Sequence, residues 1–261
     1  MLRIDQFAYA NRLRTVHPAE KLSFAVLTLV ICLAVSRPLI SMVVILIMGV
    51  GIVLRAGIPL RFYLKLMLVP LVFLLIGVFT VAFQISRYSL PLEWGFTAWD
   101  VNVGVTAASL GLAGNLFLKS LGTVSCLYFL ALTTPVLEIM WIMKKAKVPA
   151  LFLELMLIVY RFIFVLMETA SGIYISQASR WGYASLKTSY YSLAWLAANL
   201  FVKSYHHARQ LFAALLARCY QEELKVLEMP YSISGKNIAL VALFELALLV
   251  LVWRTGVGVA A

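Results

Sequence analysis

Apolar residues fall into six blocks along the 261-residue chain, at positions 22–36, 39–54, 66–85, 105–132, 149–166 and 238–253. Blocks of this length approach or reach the thickness of a bilayer hydrocarbon core. The first two are joined by Arg37-Pro38, a tight connection in which proline stops the preceding helix from continuing. Both are short, so tilting or local thinning of the bilayer is expected. About twenty polar or mixed residues precede the first block, longer and later than a secretory signal usually allows, so that block is expected to be a retained span.

The block at 149–166 conflicts with its own sequel. By length it could cross a membrane, yet crossing would put residues 180–236, with seven Lys/Arg, outside the cell. Basic residues stay on the cytoplasmic side. With the N-terminus inside and blocks one, two, three, four and six crossing, eighteen Lys/Arg lie inside and only Arg37, Arg87 and Arg254 outside, with Lys119 within a span. The outer loop at 86–103 then carries Glu93, Asp100, Tyr88, Trp94, Phe96 and Trp99, an interfacial composition. The pattern therefore predicts an all-α integral membrane protein of about five transmembrane helices plus three cytoplasmic helices. Its parts are four spans with a cytoplasmic N-terminal segment at 1–133, a cytoplasmic region at 134–235 and a last span at 236–261.

Within the cytoplasmic region, Thr134-Pro135 reads as an N-cap followed by proline at the first helical position. Leu137, Met140, Trp141 and Lys144 then recur at helical spacing, and Lys144, Lys145 and Lys147 suit a negative helix end. This is expected to be a short amphipathic helix at the membrane surface. Val148-Pro149 ends it. A second helix is expected from Pro149 to about Gly182, roughly 50 Å long at 1.5 Å per residue. A polar turn at 185–192 and a third helix from about Leu193 to Tyr220 follow, and a break at 229–232 precedes the last span.

Composition narrows the class. The chain is 63% apolar and 13% charged, with mean hydropathy +0.96, where a soluble domain carries about 25% charged residues. A net charge of +11 raises nucleic acid as a partner. The basic residues flank apolar spans, however, where cytoplasmic retention and anionic lipid explain them, so the partner is the bilayer and no nucleic acid is expected. Cys32, Cys126 and Cys219 form no CxxC motif or disulfide framework.

Polar residues inside apolar stretches are the first candidates for chemistry. Glu154, Arg161 and Glu168 recur every seven residues on one face of the second helix, as a proton or ion relay or as a polar stripe facing partner helices or cytoplasm. Asn115 and Lys119 share a face of the fourth span, with Ala107, Ala108, Gly111 and Gly114 allowing close helix approach nearby. They suit a substrate or counter-ion site, or structural hydrogen bonding between helices, the reading we prefer. A self-contained secondary ion transporter would use Lys119, Asn115, Glu154 and Arg161 together. Adjacent His206 and His207 point about 100° apart and cannot chelate one ion together. His17 beside Pro18 is as weak a ligand signal, and no metal site or cofactor is expected.

No phosphate-binding loop is present, since Gly235-Lys236 is followed by Asn237 and Pro230 stands where the first glycine would be. No nucleophile, base and acid occur in a recognisable set. The chain is therefore expected not to be an enzyme, and energy for any transport must come through a partner. Two arginines fit such a connection: Arg180 in Ser179-Arg180-Trp181 and Arg218 in Ala217-Arg218-Cys219, each near the end of a long helix. Their planar donor arrays suit carboxylates and carbonyls on another protein, and Ala213, Ala214 and Ala217 leave a smooth face beside the second. Surface arginines contacting lipid headgroups are the alternative.

Residues 4–22 (IDQFAYANRLRTVHPAEKL), Thr133-Thr134-Pro135 and residues 204–224 (SYHHARQLFAALLARCYQEEL) resemble the transmembrane T component of energy-coupling-factor (ECF) transporters, in its cobalt-type CbiQ branch. The resemblance covers nearly the whole chain. It implies a scaffold whose coupling helices each carry an Ala-Arg-Gly-like triplet docking into a groove of one of two ABC-type ATPase subunits. The other face holds a metal-specific substrate-binding membrane subunit. Carried over, the triplets are Ser179-Arg180-Trp181 and Ala217-Arg218-Cys219. Both keep the arginine, serine replaces alanine in the first, and Trp181 and Cys219 stand where glycine is common. A cysteine there suggests that the second helix end need not turn left-handed.

Overall fold

The structure, a computed structural model, describes residues 3–86, 94–98, 101–220 and 235–254. It divides into two compact units, one comprising Leu2–Ile139 with Pro230–Ala261 and the other Met140–Met229.

The first unit opens with α1 (Arg3–Ala10) and a 3-10 turn at Arg12–Thr15. Helix α2 (Pro18–Ala34) starts where Pro18 fixes the first helical angle and the Nδ1 of His17 accepts the Ala19 N–H at 3.2 Å. His17 is thus a helix cap. Arg37 precedes α3 (Pro38–Val50), which loosens into a π turn at Gly51–Arg55. Helix α4 (Leu60–Ala82) leads to a small antiparallel sheet of β1 (Gln84–Ser86), β2 (Trp94–Ala98) and β3 (Val101–Val105), in the order β1-β3-β2. Sequence reading gave this stretch only as an outer loop.

Helix α5 (Ala107–Thr133) is opened by a capping box: Thr106 Oγ1 accepts the Ser109 N–H, and Ser109 Oγ accepts the Thr106 N–H. It packs against α1, α2, α3 and α4, and α9 (Gly235–Arg254) packs against α2 and α3. Lipid is as apolar as leucine, so burial of aliphatic surface does not by itself hold these helices together; close van der Waals packing does. A Cβ on Gly122 of α5 would lie 2.9 Å from Cys32 Sγ and 3.5 Å from the Ser41 carbonyl oxygen, which shows how near α5 comes to α2 and α3. Cys32, Ile40, Val44, Met48, Cys126 and Leu132 fill that seam without exposure. Outward faces are apolar as lipid requires: Val69, Phe73 and Ile76 of α4 are mostly exposed.

Among the described residues, five helices are long and apolar enough to cross a membrane: Pro38–Arg55, Leu60–Ala82, Ala108–Thr133, Ala150–Ala178 and Gly235–Arg254. This is a multi-pass membrane protein. The set differs from the expected spans at two places. Helix α2 is 17 residues, about 25 Å, and falls just short on length, though it sits centrally in the packed unit. The helix at Ala150–Ala178 qualifies on length and belongs to the other unit.

In the second unit, the later part of α6 (Val136–Lys145) is followed by α7 (Ala150–Ala178) and α8 (Leu186–Ala217). Lys145 Nζ lies 3.8 Å from the centre of the Trp141 ring, an i,i+4 cation–π contact at the end of α6. The polar turn expected at 185–192 is instead the first two turns of α8. Ser185 and Thr188 form a reciprocal capping box, so the chain becomes helical at Leu186.

Candidate coupling site

The two arginine triplets end their helices by the same hydrogen-bond pattern. At α7 the N–H of Arg180 donates to the Gln177 carbonyl (3.1 Å), that of Trp181 to Ala178 (3.1 Å) and that of Gly182 to Gln177 (2.9 Å). At α8 the N–H of Arg218 donates to Leu215 (3.0 Å), that of Cys219 to Leu216 (3.1 Å) and that of Tyr220 to Leu215 (3.1 Å). These are Schellman endings, in which a left-handed residue turns the chain back over the last carbonyls. Trp181 has φ +60 and Cys219 φ +56. The expectation that cysteine spares the second end a left-handed turn is therefore overturned. The two returned N–H bonds offset the Cβ cost of about 1 kcal/mol.

Arg180 and Arg218 consequently hold equivalent positions, one residue before the left-handed turn, and both are exposed. A guanidinium at a helix C-terminus is also favoured by the dipole. Ser179 is exposed and donates its hydroxyl to the Ser176 carbonyl at 2.9 Å. Trp181 is 80% exposed, unusual for a tryptophan on a strained backbone. Ala217 is the last residue of α8, and Cys219 is an exposed free thiol.

Hydrogen bonds join α7 and α8 at both ends. Where the chain turns, Gln177 Nε2 donates to the Ser192 carbonyl (3.0 Å), Tyr183 Oη donates to Gln177 Oε1 (2.8 Å) and Ser192 Oγ donates to the Gly182 carbonyl (2.8 Å). At the far end, Tyr220 Oη donates to Glu154 Oε2 at 2.6 Å. The two helices thus run antiparallel as a hairpin. Glu154 holds the second triplet in place, while Arg161 and Glu168 are exposed farther along α7. Along α8 an open recess of about 370 Å³ is lined by Tyr205, Ala208, Arg209, Phe212, Ala213 and Leu216.

In the membrane unit, Asn115 Nδ2 donates to the Ser36 carbonyl (2.9 Å) and Lys119 Nζ to Ser36 Oγ (3.2 Å). Both side chains therefore hold the corner between α2 and α3. Among the described residues no group of three or more His, Cys, Asp or Glu could hold a metal ion. Sequence reading missed a further cluster at the α5–α6 joint. Lys21 Nζ lies 2.9 Å from Glu138 Oε2 and 3.1 Å from the Thr133 carbonyl oxygen, and Asn11 Nδ2 reaches the Leu132 and Thr133 carbonyls at 3.2 Å. Asn11 and Lys21 lie in 4–22 and Thr133 in 133–135, two of the three stretches that carry the family resemblance, while Leu132 and Glu138 lie outside them, and a pairing across so many residues has no periodic signature.

Helices apolar and long enough to cross a bilayer, together with a helical hairpin whose two ends carry matched arginines, belong to a multi-pass membrane protein. The chain belongs to the CbiQ family of cobalt transport proteins, whose profile matches residues 10–228. It is 32% identical to the cobalt transport protein CbiQ of Salmonella typhimurium, over 85% of this chain and 98% of that one. An uncharacterized protein of Methanocaldococcus jannaschii is 31% identical over 97% of this chain and 93% of its own length. A Methanocorpusculum labreanum protein, provisionally named a fused cobalt transport protein CbiMQ, is 28% identical, and this chain spans 36% of it.

Proposed function

We propose that the chain is the coupling (T) subunit of an ATP-driven ECF importer for cobalt or nickel. Nucleotide binding and hydrolysis in two partner ABC-type ATPase subunits move the α7–α8 hairpin through Arg180 and Arg218. The hairpin transmits that motion to a separate metal-binding membrane subunit, which reorients and releases its ion inside. The chain performs no covalent chemistry. It lies in the bacterial cell membrane, with its N-terminus and the three helices of the coupling region on the cytoplasmic side, as the distribution of Lys and Arg favours.

The observation that carries this reading is the equivalence of the two helix ends. The same ending recurs at Lys147 after α6, where Ala146 takes the arginine's step, so the arginine is what α7 and α8 share, and two such arginines suit two like partners. The relative named as a fused cobalt transport protein suits a second component, since most of its length lies beyond the part that this chain matches. Reversing charge at both arginines (Arg180→Glu with Arg218→Glu) is expected to abolish ATPase recruitment and uptake while leaving membrane insertion intact. Normal uptake by that double variant would overturn the reading.

A further inference from the structure

We propose that the buried Lys21–Glu138 pair is the joint through which movement of α6 reaches the membrane helices. This rests on the coupling function proposed above and adds a positioning role for residues distant from the arginines. Lys21 stands in the first turns of α2, and its side chain is 3% exposed; Glu138 stands in the first turn of α6 and is 7% exposed. The ammonium bonds the carboxylate at 2.9 Å and the Thr133 carbonyl at 3.1 Å, so one side chain grips both the end of α5 and the root of α6. Asn11 adds a second hold on the same joint, donating to the Leu132 and Thr133 carbonyls.

Burying an ion pair is a poor route to stability, because desolvation cancels much of the attraction and apolar side chains of similar volume often serve as well. Such a pair does fix position. Either charge left alone in this setting would be costly, so α2 and α6 are held to one register and must move together. Helix α6 continues without interruption from this joint, through Ile139 and Met140, into the unit that carries the arginine hairpin. A displacement of α6 is therefore felt first by Lys21, and through it by α2 and the end of α5. These are contiguous polar contacts of the kind that can carry energetic coupling.

The test uses the whole transporter, co-purified with its ATPase and metal-binding partners and reconstituted in liposomes, with Co2+ as the transported ion. Lys21→Met and Glu138→Gln each leave a buried partner charge, so both are expected to assemble in lower yield, with the assembled fraction hydrolysing ATP at close to the unmodified rate. Co2+ moved per ATP is expected to fall about tenfold, within the range of known couplings between sites. The charge swap Lys21→Glu with Glu138→Lys restores a pair, though not the bond to the Thr133 carbonyl, and is expected to recover part of that ratio per assembled complex. An unchanged ratio in assembled single variants overturns the proposal. Should the single variants fail to assemble, Lys21→Arg and Glu138→Asp keep both charges and alter only reach. A lowered ratio in these supports the joint; an unchanged ratio, or failure of these too to assemble, overturns it and leaves the pair a folding element. Absence of ATPase from the unmodified preparation would instead sink the coupling function itself.

Discussion

Arg180 and Arg218 occupy the same step of the same helix ending, each followed by a residue in the left-handed region. The side chains therefore leave their helices in the same sense relative to the last turn. On the function proposed above, two copies of one kind of ATPase would each take one of these ends.

The backbone at position 219 is the most direct handle on this geometry. Glycine adopts positive φ without cost, so Cys219→Gly is expected to keep the helix end and retain ATPase recruitment at or above the unmodified level. A β-branched residue is least tolerant there, and Cys219→Val should weaken recruitment about fivefold, matching roughly 1 kcal/mol of left-handed strain. Pull-down of the ATPase by detergent-solubilised chain measures both. Equal recruitment by the two variants would remove the left-handed turn from the mechanism.

The Tyr220–Glu154 bond makes the hairpin a closed unit, so its loss should loosen the arginine end without touching the arginine. A hydrogen bond to a charged group contributes about 1.5–3 kcal/mol, and partial exposure puts this one toward the lower figure. Tyr220→Phe is expected to raise protease cleavage near the end of α8 several-fold. Glu154→Gln, which keeps an acceptor in place, should raise it less. Limited proteolysis of the solubilised chain distinguishes the two.

The seam around Gly122 tests the packing of the membrane unit. Gly122→Ala places a methyl 2.9 Å from the buried Cys32 Sγ, and such overpacking costs about 1–3 kcal/mol. The expected result is a lowered unfolding temperature in detergent. Adding Cys32→Ala removes the clashing atom and should restore part of the loss. Stability unchanged in the single variant would mean that α5 can move away from α2 freely.

Much of this architecture is legible in the sequence, and the failures have physical causes. Apolar blocks locate the membrane helices because lipid imposes one requirement along their whole length. Helix ends are harder. Ser185 and Thr188 carry the capping-box spacing, yet Ser185 opens a run of polar residues and so looks like loop. Cys219 looks incompatible with a left-handed turn until the bonds returning to Leu215 and Leu216 are seen. Contacts between distant residues are hardest of all. Lys21 reads as one more interior positive charge and Glu138 as an ordinary residue of an amphipathic helix. Only the fold brings them to 2.9 Å.

Lys119 separates the coupling function from transport by this chain alone. In the structure its ammonium holds Ser36 Oγ at 3.2 Å while Asn115, one turn earlier, holds the Ser36 carbonyl at 2.9 Å. If the two serve the α2–α3 corner, Lys119→Met loses one hydrogen bond but keeps its aliphatic stem against the neighbouring helix. A bond from a charged donor contributes about 1.5–3 kcal/mol, and at the lower figure its loss lowers the unfolding temperature by about 3–6 °C for a chain of this size. Uptake by the assembled transporter should then stay within about twofold, and Ser36→Ala should show the same modest shift, since it removes the partner of the same bond. A lone ion carrier would behave otherwise: it would move Co2+ into liposomes with no ATPase present, and Lys119→Met would stop it. Measuring Co2+ entry with the purified chain alone, before and after that substitution, separates an anchored helix corner from a transport pathway.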